Sequence, residues 1–482
     1  MKIELIWISI LVYIVWGTII AVLSRRGAGK GVVDYFLANR KLKDSVSSLS
    51  YSATTYSAFM MLGLVGLAYK GGVGALGFEL IYLSGLVLAV FFGPMFWRAG
   101  SHYNCISPAE LLSVRYHHKT VGAASAFISL IFLIPYSAVQ LMGIGYLLET
   151  LSRGKISFVV GVLIATLITW VWTEVAGLRS IATTDSLQAG IMLVSSLILI
   201  YVLVYRFLGG PGAFIHTVET TYPQWLMVPG NGYFRFQTFL GLSLPWFFFS
   251  ISNPQVSQRL FVPASLPKMR KMIGGFLGYG FLYTLITIVL GFCTLVLFPG
   301  LTNPDQATPT LLSRLSLPPL IVLLVTVGIF SAAISTIDSV FLTISSMFVR
   351  DILRVKKEVE ENKQIVVAQI FITILCVTSF LFALMRFNLI AILSVASSAG
   401  LLSIVPATVG AFLWKRGNKE GALCSMIGGA GLSFLLQMTG WKPWGFWPGV
   451  WTLIVSTILY FGVSRLTPES SNDDFFHTIK GK

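Results

Sequence analysis

The chain has 482 residues, of which 55% are hydrophobic and only 11% charged, and it carries a formal net charge of +15. Soluble domains are about a quarter charged, so a soluble protein hiding this much apolar sequence in one or two cores is excluded. The four cysteines, Cys105, Cys293, Cys376 and Cys424, are scattered; they make neither a disulfide framework nor a metal cluster and are expected as buried thiols.

Apolar stretches of roughly twenty residues recur from end to end, each long enough to cross a hydrocarbon core about 30 Å thick. Membrane spans are expected at 3–23, 45–69, 75–98, 120–148, 157–173, 182–205, 236–255, 272–298, 317–349, 364–385, 388–414, 420–438 and 447–464. The first ends in Arg25-Arg26 instead of a small-residue cleavage site, so it is not a cleavable signal peptide. The second is a poor helix: from Leu49 to Ala58 it is dominated by hydroxyl side chains, which compete for backbone hydrogen bonds. The segment 206–235 contains two Gly/Pro clusters and is expected to hold turns and a short helix. In the seventh span Pro245 and then Asn253-Pro254 disrupt the hydrogen-bond ladder. The ninth holds Ser335, Thr336 and Asp338 at membrane depth. An ionisable group there costs about 2.5 to 3.5 kcal/mol even on lenient scales unless it faces a protein interior or a wet cavity. The hydroxyl and carbonyl oxygens of Ser335 and Thr336 are hard, neutral donors suited to a small alkali cation, so this stretch reads as part of an ion path. The run 350–363 is expected as a charged helical extension, and 466–482 as a short disordered cytoplasmic tail.

Charge supports this order of spans. With the N-terminus outside and the C-terminus in the cytoplasm, roughly three-quarters of the 34 Lys and Arg residues fall on the inside, as the positive-inside rule requires. They include Arg25, Arg26, Lys30, Arg40, Lys41, Lys43, Arg350, Arg354, Lys356, Lys357 and Lys363. Basic loops against an anionic leaflet also account for the net charge without nucleic acid. The sequence has no phosphate-binding loop for an ATP-driven pump, and the His117-His118 pair lacks the spacing of a metal enzyme. An enzyme is therefore not expected. The two broken segments open two five-helix units, spans 2–6 and 7–11. Discontinuous helices at matching positions of inverted repeats point to a binding site near the bilayer midplane.

Several local patterns occur in a fixed order. They are Ser52-Ala53-x-x-x-Ser57 through Gly63 and Gly66; Pro108-Ala109-Glu110 with Arg115-Tyr116; and Tyr136-x-x-x-Gln140 with Gly143 and Gly145. Next come Gly177-Leu178-Arg179-Ser180-x-x-x-Thr184-Asp185-x-x-Gln188 and Ser335-Thr336-x-Asp338-Ser339, then Pro406 leading to Trp414-Lys415-Arg416 and Gly421-Ala422. With these the chain resembles the sodium:solute symporter family, which includes sodium/proline, sodium/pantothenate, monocarboxylate and sodium/sugar cotransporters.

The resemblance implies an all-α integral membrane protein of 13 transmembrane helices with a five-plus-five inverted-repeat core. Its first and sixth core helices would be discontinuous, with repeat one at 45–205, repeat two at 236–414, a leading helix at 3–23 and trailing helices at 420–464, all in one transporter domain, 1–465. It implies a sodium site built from main-chain oxygens of Ala53, Tyr56 and Ala332 with side-chain oxygens of Ser335 and Thr336, and Asp185 as a relay for the departing ion. A structural pair of Asp185 with Arg179 is the alternative. Glu79 matches an acid that contacts solute in the sugar-carrying branch; the alternative is an external salt bridge with Lys70 or Arg386. Thr54, Thr55 and Gln140 are candidates to hydrogen-bond the solute, and Trp246, Phe247 and Phe248 to wall or gate it. Thr55 stands where proline carriers have an acid, which argues against proline. The expected protein is a sodium-coupled importer of an amino acid, a monocarboxylate or a pantothenate-like solute, in the plasma membrane. Sodium is the coupling ion, lipid and solute are its partners, no cofactor is needed, and a monomer is expected as the working unit. A proton-coupled symporter or a sodium-independent uniporter stays open.

Overall fold

A computed structural model describes residues 3–25, 31–175, 177–355, 360–386, 390–469 and 472–480. Arg26, Lys30, Lys356 and Lys357, counted above as loop charges, lie outside the described residues, as does the side chain of Arg25. Every regular element among the described residues is helical. Apart from the short helices Val32–Leu37 and Ala307–Arg314 and isolated turns, they begin in chain order with α1 (Ile3–Arg25), α2 (Asp44–Thr55), α3 (Phe59–Gly71), α4 (Val73–His102) and α5 (Pro108–Arg115). Next are α6 (Lys119–Leu151), α7 (Phe158–Val175), α8 (Leu178–Phe207), α9 (Pro211–Thr221) and α10 (Phe236–Phe247). After α10 two single turns, Phe249–Ser252 and Pro254–Ser257, lead to α11 (Leu266–Leu297). The chain continues with α12 (Pro319–Val355), α13 (Glu361–Ala383), α14 (Ile390–Leu413), α15 (Lys419–Thr439), α16 (Pro448–Leu466) and α17 (Asp473–Lys480).

Ten of these helices are long and apolar enough to cross a membrane. The other three expected spans are α7, which is one of the shorter apolar helices, and the two segments broken into α2–α3 and into α10 with its following turns. A chain that leaves the helical path cannot present one long apolar cylinder, so two of the three fall where the sequence predicts breaks, and α7 is an unbroken helix that is merely short.

Burial sorts the bundle. The windows in α6, α12 and α14 are 72%, 78% and 83% buried, whereas those in α1, α13 and α16 are only 33% buried. The first group forms the interior and the second faces lipid. α12 packs against α8 and α6, and α2 packs against α8 and α11. Local chemistry starts the helices where they start. Pro108 opens α5; the Ser107 hydroxyl accepts the Glu110 amide at 2.9 Å, and Glu110 reaches back to the Ile106 amide at 2.9 Å. Asn418 caps α15 through the Gly421 amide.

Two expectations change. Cys105, Cys293 and Cys376 are buried, but Cys424 is exposed on α15. Residues 473–480 are not disordered: they form α17, whose Phe475, Phe476 and Ile479 are buried against the end of α4 and its neighbours. The Asn472 side chain bonds the Val114 carbonyl, Arg98 donates to the Ile479 carbonyl, and Tyr103 donates to Asp474. A helix this short is unstable alone, so packing holds it. Lys415 bonds Asp473 at 2.7 Å and holds its carboxyl below the ordinary range; that tie is present above this range and lost as pH falls through the lowered value. Replacing both rings, Phe475→Ala with Phe476→Ala, is expected to release α17, seen as rapid proteolytic trimming after α16 while the rest of the chain stays intact. An unchanged digestion pattern would refute the docking.

Candidate functional site

α2 ends at Thr55, and Tyr56 at φ −92°, ψ 85° leaves the helical path. A helix that stops leaves its last carbonyls without intrahelical partners. Two of them are met from α12. Ser335 Oγ lies 3.1 Å from the Ala53 oxygen, and Thr336 Oγ1 lies 3.4 Å from the oxygens of both Ala53 and Thr54. The same hydroxyls reach the Ala332 oxygen at 3.4 and 3.2 Å. These residues are sealed from solvent. Neutral oxygens thus converge at the C-terminal, partially negative end of a helix. That donor set fits sodium: it can stand in for a water shell without fixing the ion by a formal charge.

The predicted Ala53, Ala332, Ser335 and Thr336 come together here, and the Thr54 carbonyl joins them unpredicted. Among the described residues no hydrogen bond links Tyr56 to Ser335 or Thr336. Its amide closes α2 on the Ser52 oxygen, and its phenol turns toward α11. Gly280 makes room for it, since a Cβ there would sit 1.7 Å from the Tyr56 hydroxyl oxygen.

On the other side of the break, the first amides of α3 find partners. Ser57 Oγ accepts from Phe59, and Gln140 Oε1 on α6 accepts from Ala58 at 3.1 Å. Gln140 therefore holds the break itself. Next to it, Trp246 stacks on Phe59 at 4.9 Å and on Phe249 at 4.8 Å, and meets Tyr82 edge-on at 5.1 Å. Phe247 and Phe248 are half-buried and touch each other. The rings beside the break are thus Trp246 and Phe249, because the turn at Phe248 rotates the chain between them. Glu79 is fully buried and accepts from Thr284 at 3.4 Å, so it is not a rim salt bridge; Lys70 lies over Tyr233 and Arg386 pairs with Glu149. Glu79 Oε1, the hydroxyls of Tyr51, Tyr56 and Tyr82, and Trp246 Nε1 are buried without a side-chain or backbone partner. Each such group costs about 1–3 kcal/mol if left dry and unpaired, so their grouping marks where a polar guest belongs. Thr55 is spent locally, donating to the Tyr51 carbonyl of its own helix.

Below the break lies a network the sequence did not announce. Arg259, buried just past the second broken segment, places one nitrogen 2.6 Å from Ser339, 2.9 Å from Thr54 and 3.3 Å from Asp185 Oδ2. Ser50 adds a bond to the same oxygen at 3.0 Å, whereas Asp185 Oδ1 has no partner. Asp185 therefore pairs with Arg259 and not with Arg179, which bonds Asp34 at 3.2 Å. Thr54 spends its hydroxyl here and not on a solute. Arg259 lies outside the expected seventh span, 236–255, so the span pattern alone places it in a loop. Asp338 points to α7, accepting from Thr173 at 2.8 Å, and takes no part in the oxygen cluster.

The sequence pattern of the sodium:solute symporter family matches residues 35–429, which spans the break, the oxygen cluster and the Asp185 network. The chain belongs to the sodium:solute symporter family. It is 27% identical over 461 residues to a sodium/pantothenate symporter of Haemophilus influenzae, covering 94% of each chain. It is 22% identical over 486 residues to a sodium/proline symporter of Staphylococcus aureus, covering 96% of this chain and 92% of that one. A solved sodium-coupled sialic acid symporter in a substrate-bound outward-open state superposes with a TM-score of 0.81 at 18% identity, over 97% of this chain and 99% of that one. A nucleobase-cation-symport-1 family transporter in a closed conformation gives 0.59 at 13% identity, over 92% and 97%. The fold is accordingly an all-α, multi-pass, inverted-repeat membrane fold. As a member of this family the protein is a plasma-membrane secondary active transporter, not an enzyme, that moves a small organic solute with sodium by alternating access.

Proposed function

We propose that the chain crosses the membrane thirteen times, N-terminus outside and C-terminus in the cytoplasm, with α2–α3 and α10 with its following turns as the discontinuous first and sixth core helices. The basic residues of the loops support that orientation. Sodium binds the oxygens of Ala53, Ala332, Ser335 and Thr336, with the Tyr56 carbonyl completing the shell at the break. The convergence of two orphan helix carbonyls with two α12 hydroxyls carries this reading. Asp185 takes the departing ion on its free oxygen while Arg259 keeps the other.

The solute lies across the break, between Glu79, Gln140 and the Trp246 wall, with Phe247 and Phe248 gating from the outer face and Thr54 and Thr55 lining through their backbone. A solute carboxylate would face the positive N-terminal end of α3. Glu79 calls for a donor on the solute: a hydroxyl, an amide or an ammonium. Pantothenate-like hydroxy amides and amino acids satisfy both demands; a plain monocarboxylate satisfies one. A monomer holds every residue named.

Uptake into proteoliposomes with an inward sodium gradient, across amino acids, monocarboxylates and pantothenate, tests the proposal. Concentrative uptake of one class supports it, and equilibration without sodium would identify a uniporter. With the solute in hand, Glu79→Gln is expected to raise the solute concentration for half-maximal uptake about tenfold, the loss of one charge-assisted hydrogen bond. The sodium requirement at saturating solute should stay unchanged. An equal shift in both would mean that Glu79 acts on the fold and not on the solute.

A further inference from the structure

A groove of about 300 Å³ runs between α4 and α11, away from the break. Its walls are Val90 and Pro94 on one side and Ile273 and Leu277 on the other. Gly274 leaves it open, because a Cβ added there meets nothing within 4 Å. Two arginines, Arg98 and Arg270, share its lining, and no carboxylate does. Among the described residues neither arginine forms a salt bridge, although Arg98 donates to the Ile479 carbonyl of α17. Lys268 stands exposed on the same turn of α11 as Arg270, and the exposed Lys271 pairs at 3.7 Å with Asp44. Both helices are membrane spans. The groove is therefore apolar along the spans and doubly cationic where Arg98 and Arg270 lie.

We propose that this groove binds an anionic phospholipid. One acyl chain lies along Val90, Pro94, Ile273 and Leu277, and the phosphate sits between Arg98 and Arg270. The guanidinium fork matches a phosphodiester better than an ammonium does, and basic pockets between membrane helices select anionic head groups. Phosphatidylcholine offers the same phosphodiester but brings a trimethylammonium up against the half-buried Arg98 and the exposed Arg270, whereas an anionic lipid leaves net negative charge between them. The site also touches the working parts. α4 carries Glu79, α11 carries its partner Thr284, and Arg98 anchors α17. A lipid wedged between α4 and α11 stabilises one spacing of these helices, and whatever changes that spacing changes lipid affinity by the same factor.

The test is native mass spectrometry of the full chain released from nanodiscs of phosphatidylcholine containing phosphatidylglycerol. The parent protein is expected to retain one phosphatidylglycerol in preference to phosphatidylcholine. Arg270→Gln should cut that retention about tenfold, by removing one charge-assisted phosphate contact. Gly274→Trp should displace both lipids, because the ring fills the groove. Lys442→Gln, between α15 and α16, should change nothing. Retention by Arg270→Gln equal to the parent's overturns the proposal. So does equal retention of the two lipids by the parent protein, an outcome that needs no variant to fold.

Discussion

Arg259→Gln is expected to be the most damaging single substitution in the membrane interior. Among the described residues it removes the only positive charge within bonding distance of Asp185, whose carboxylate is buried and receives its remaining bonds from neutral hydroxyls of Ser50 and Thr54. Breaking a buried ion pair from one side costs about 3–5 kcal/mol, because the surviving charge stays desolvated. The same change also takes donors from Thr54 and Ser339, which hold α2 to α12. Purified Arg259→Gln should therefore lose its sharp gel-filtration peak in detergent, or melt well below the parent. Asp185→Asn combined with Arg259→Gln should recover much of the loss, because two neutral side chains can bond where one charge cannot. A single variant that melts with the parent, or a double that is no better than the single, would show that the pair does not hold the two helices.

Ser335→Ala and Thr336→Ala carry the second large effect, on coupling and not on stability. Each removes one neutral oxygen from the cluster at the end of α2 and leaves the helix backbone untouched. A ligand worth about 1.4 kcal/mol to the bound ion changes affinity tenfold. The sodium concentration for half-maximal uptake should rise about tenfold in each variant, and sodium stimulation should vanish in the double. Folding should survive, since a net intramolecular hydrogen bond contributes only about 0.5–1.5 kcal/mol. Ser345→Ala is the internal control: that hydroxyl lies on the same helix but donates to the Leu342 carbonyl of its own turn. Sodium dependence that stays at the parent value in well-folded Ser335→Ala and Thr336→Ala would move the ion elsewhere. A shift in Ser345→Ala as large as theirs would make the effect one of helix packing.

The two sets of substitutions test different links. The Asp185–Arg259 pair lives on packing: it ties together residues 74 positions apart along the chain, and its failure is read in the folded state. The oxygen cluster, as the proposed sodium site, tests function: it is assembled by the contact of α2 with α12, and its loss is expected to be read against sodium. Reduced uptake at saturating sodium would belong to the first, and uptake restored by raising sodium to the second.

Much of this protein is written locally. The apolar stretches and the two interruptions of the helical path, after Thr55 and after Phe247, follow from composition within windows of about twenty residues, because bilayer thickness and helix propensity act over that length. The hydroxyls of Ser335 and Thr336 were legible for the same reason: polar groups in an apolar helix have to face something. Other features depended on which segments meet. Nothing near Arg259 says that it turns inward to Asp185, since that choice is made by the path of the chain after Asn253. Whether Trp246 is flanked by Phe248 or Phe249 depends on the turn between α10 and the next helical segment. The eight residues of α17 are too few to fold alone and become a helix only because α4 and its neighbours cover Phe475 and Phe476. The sequence by itself determined which stretches are apolar enough to span a membrane and where hydroxyl and proline residues interrupt the helical path. Tertiary structure alone decided what each break faces, because partners hundreds of residues apart are selected by packing and not by local chemistry.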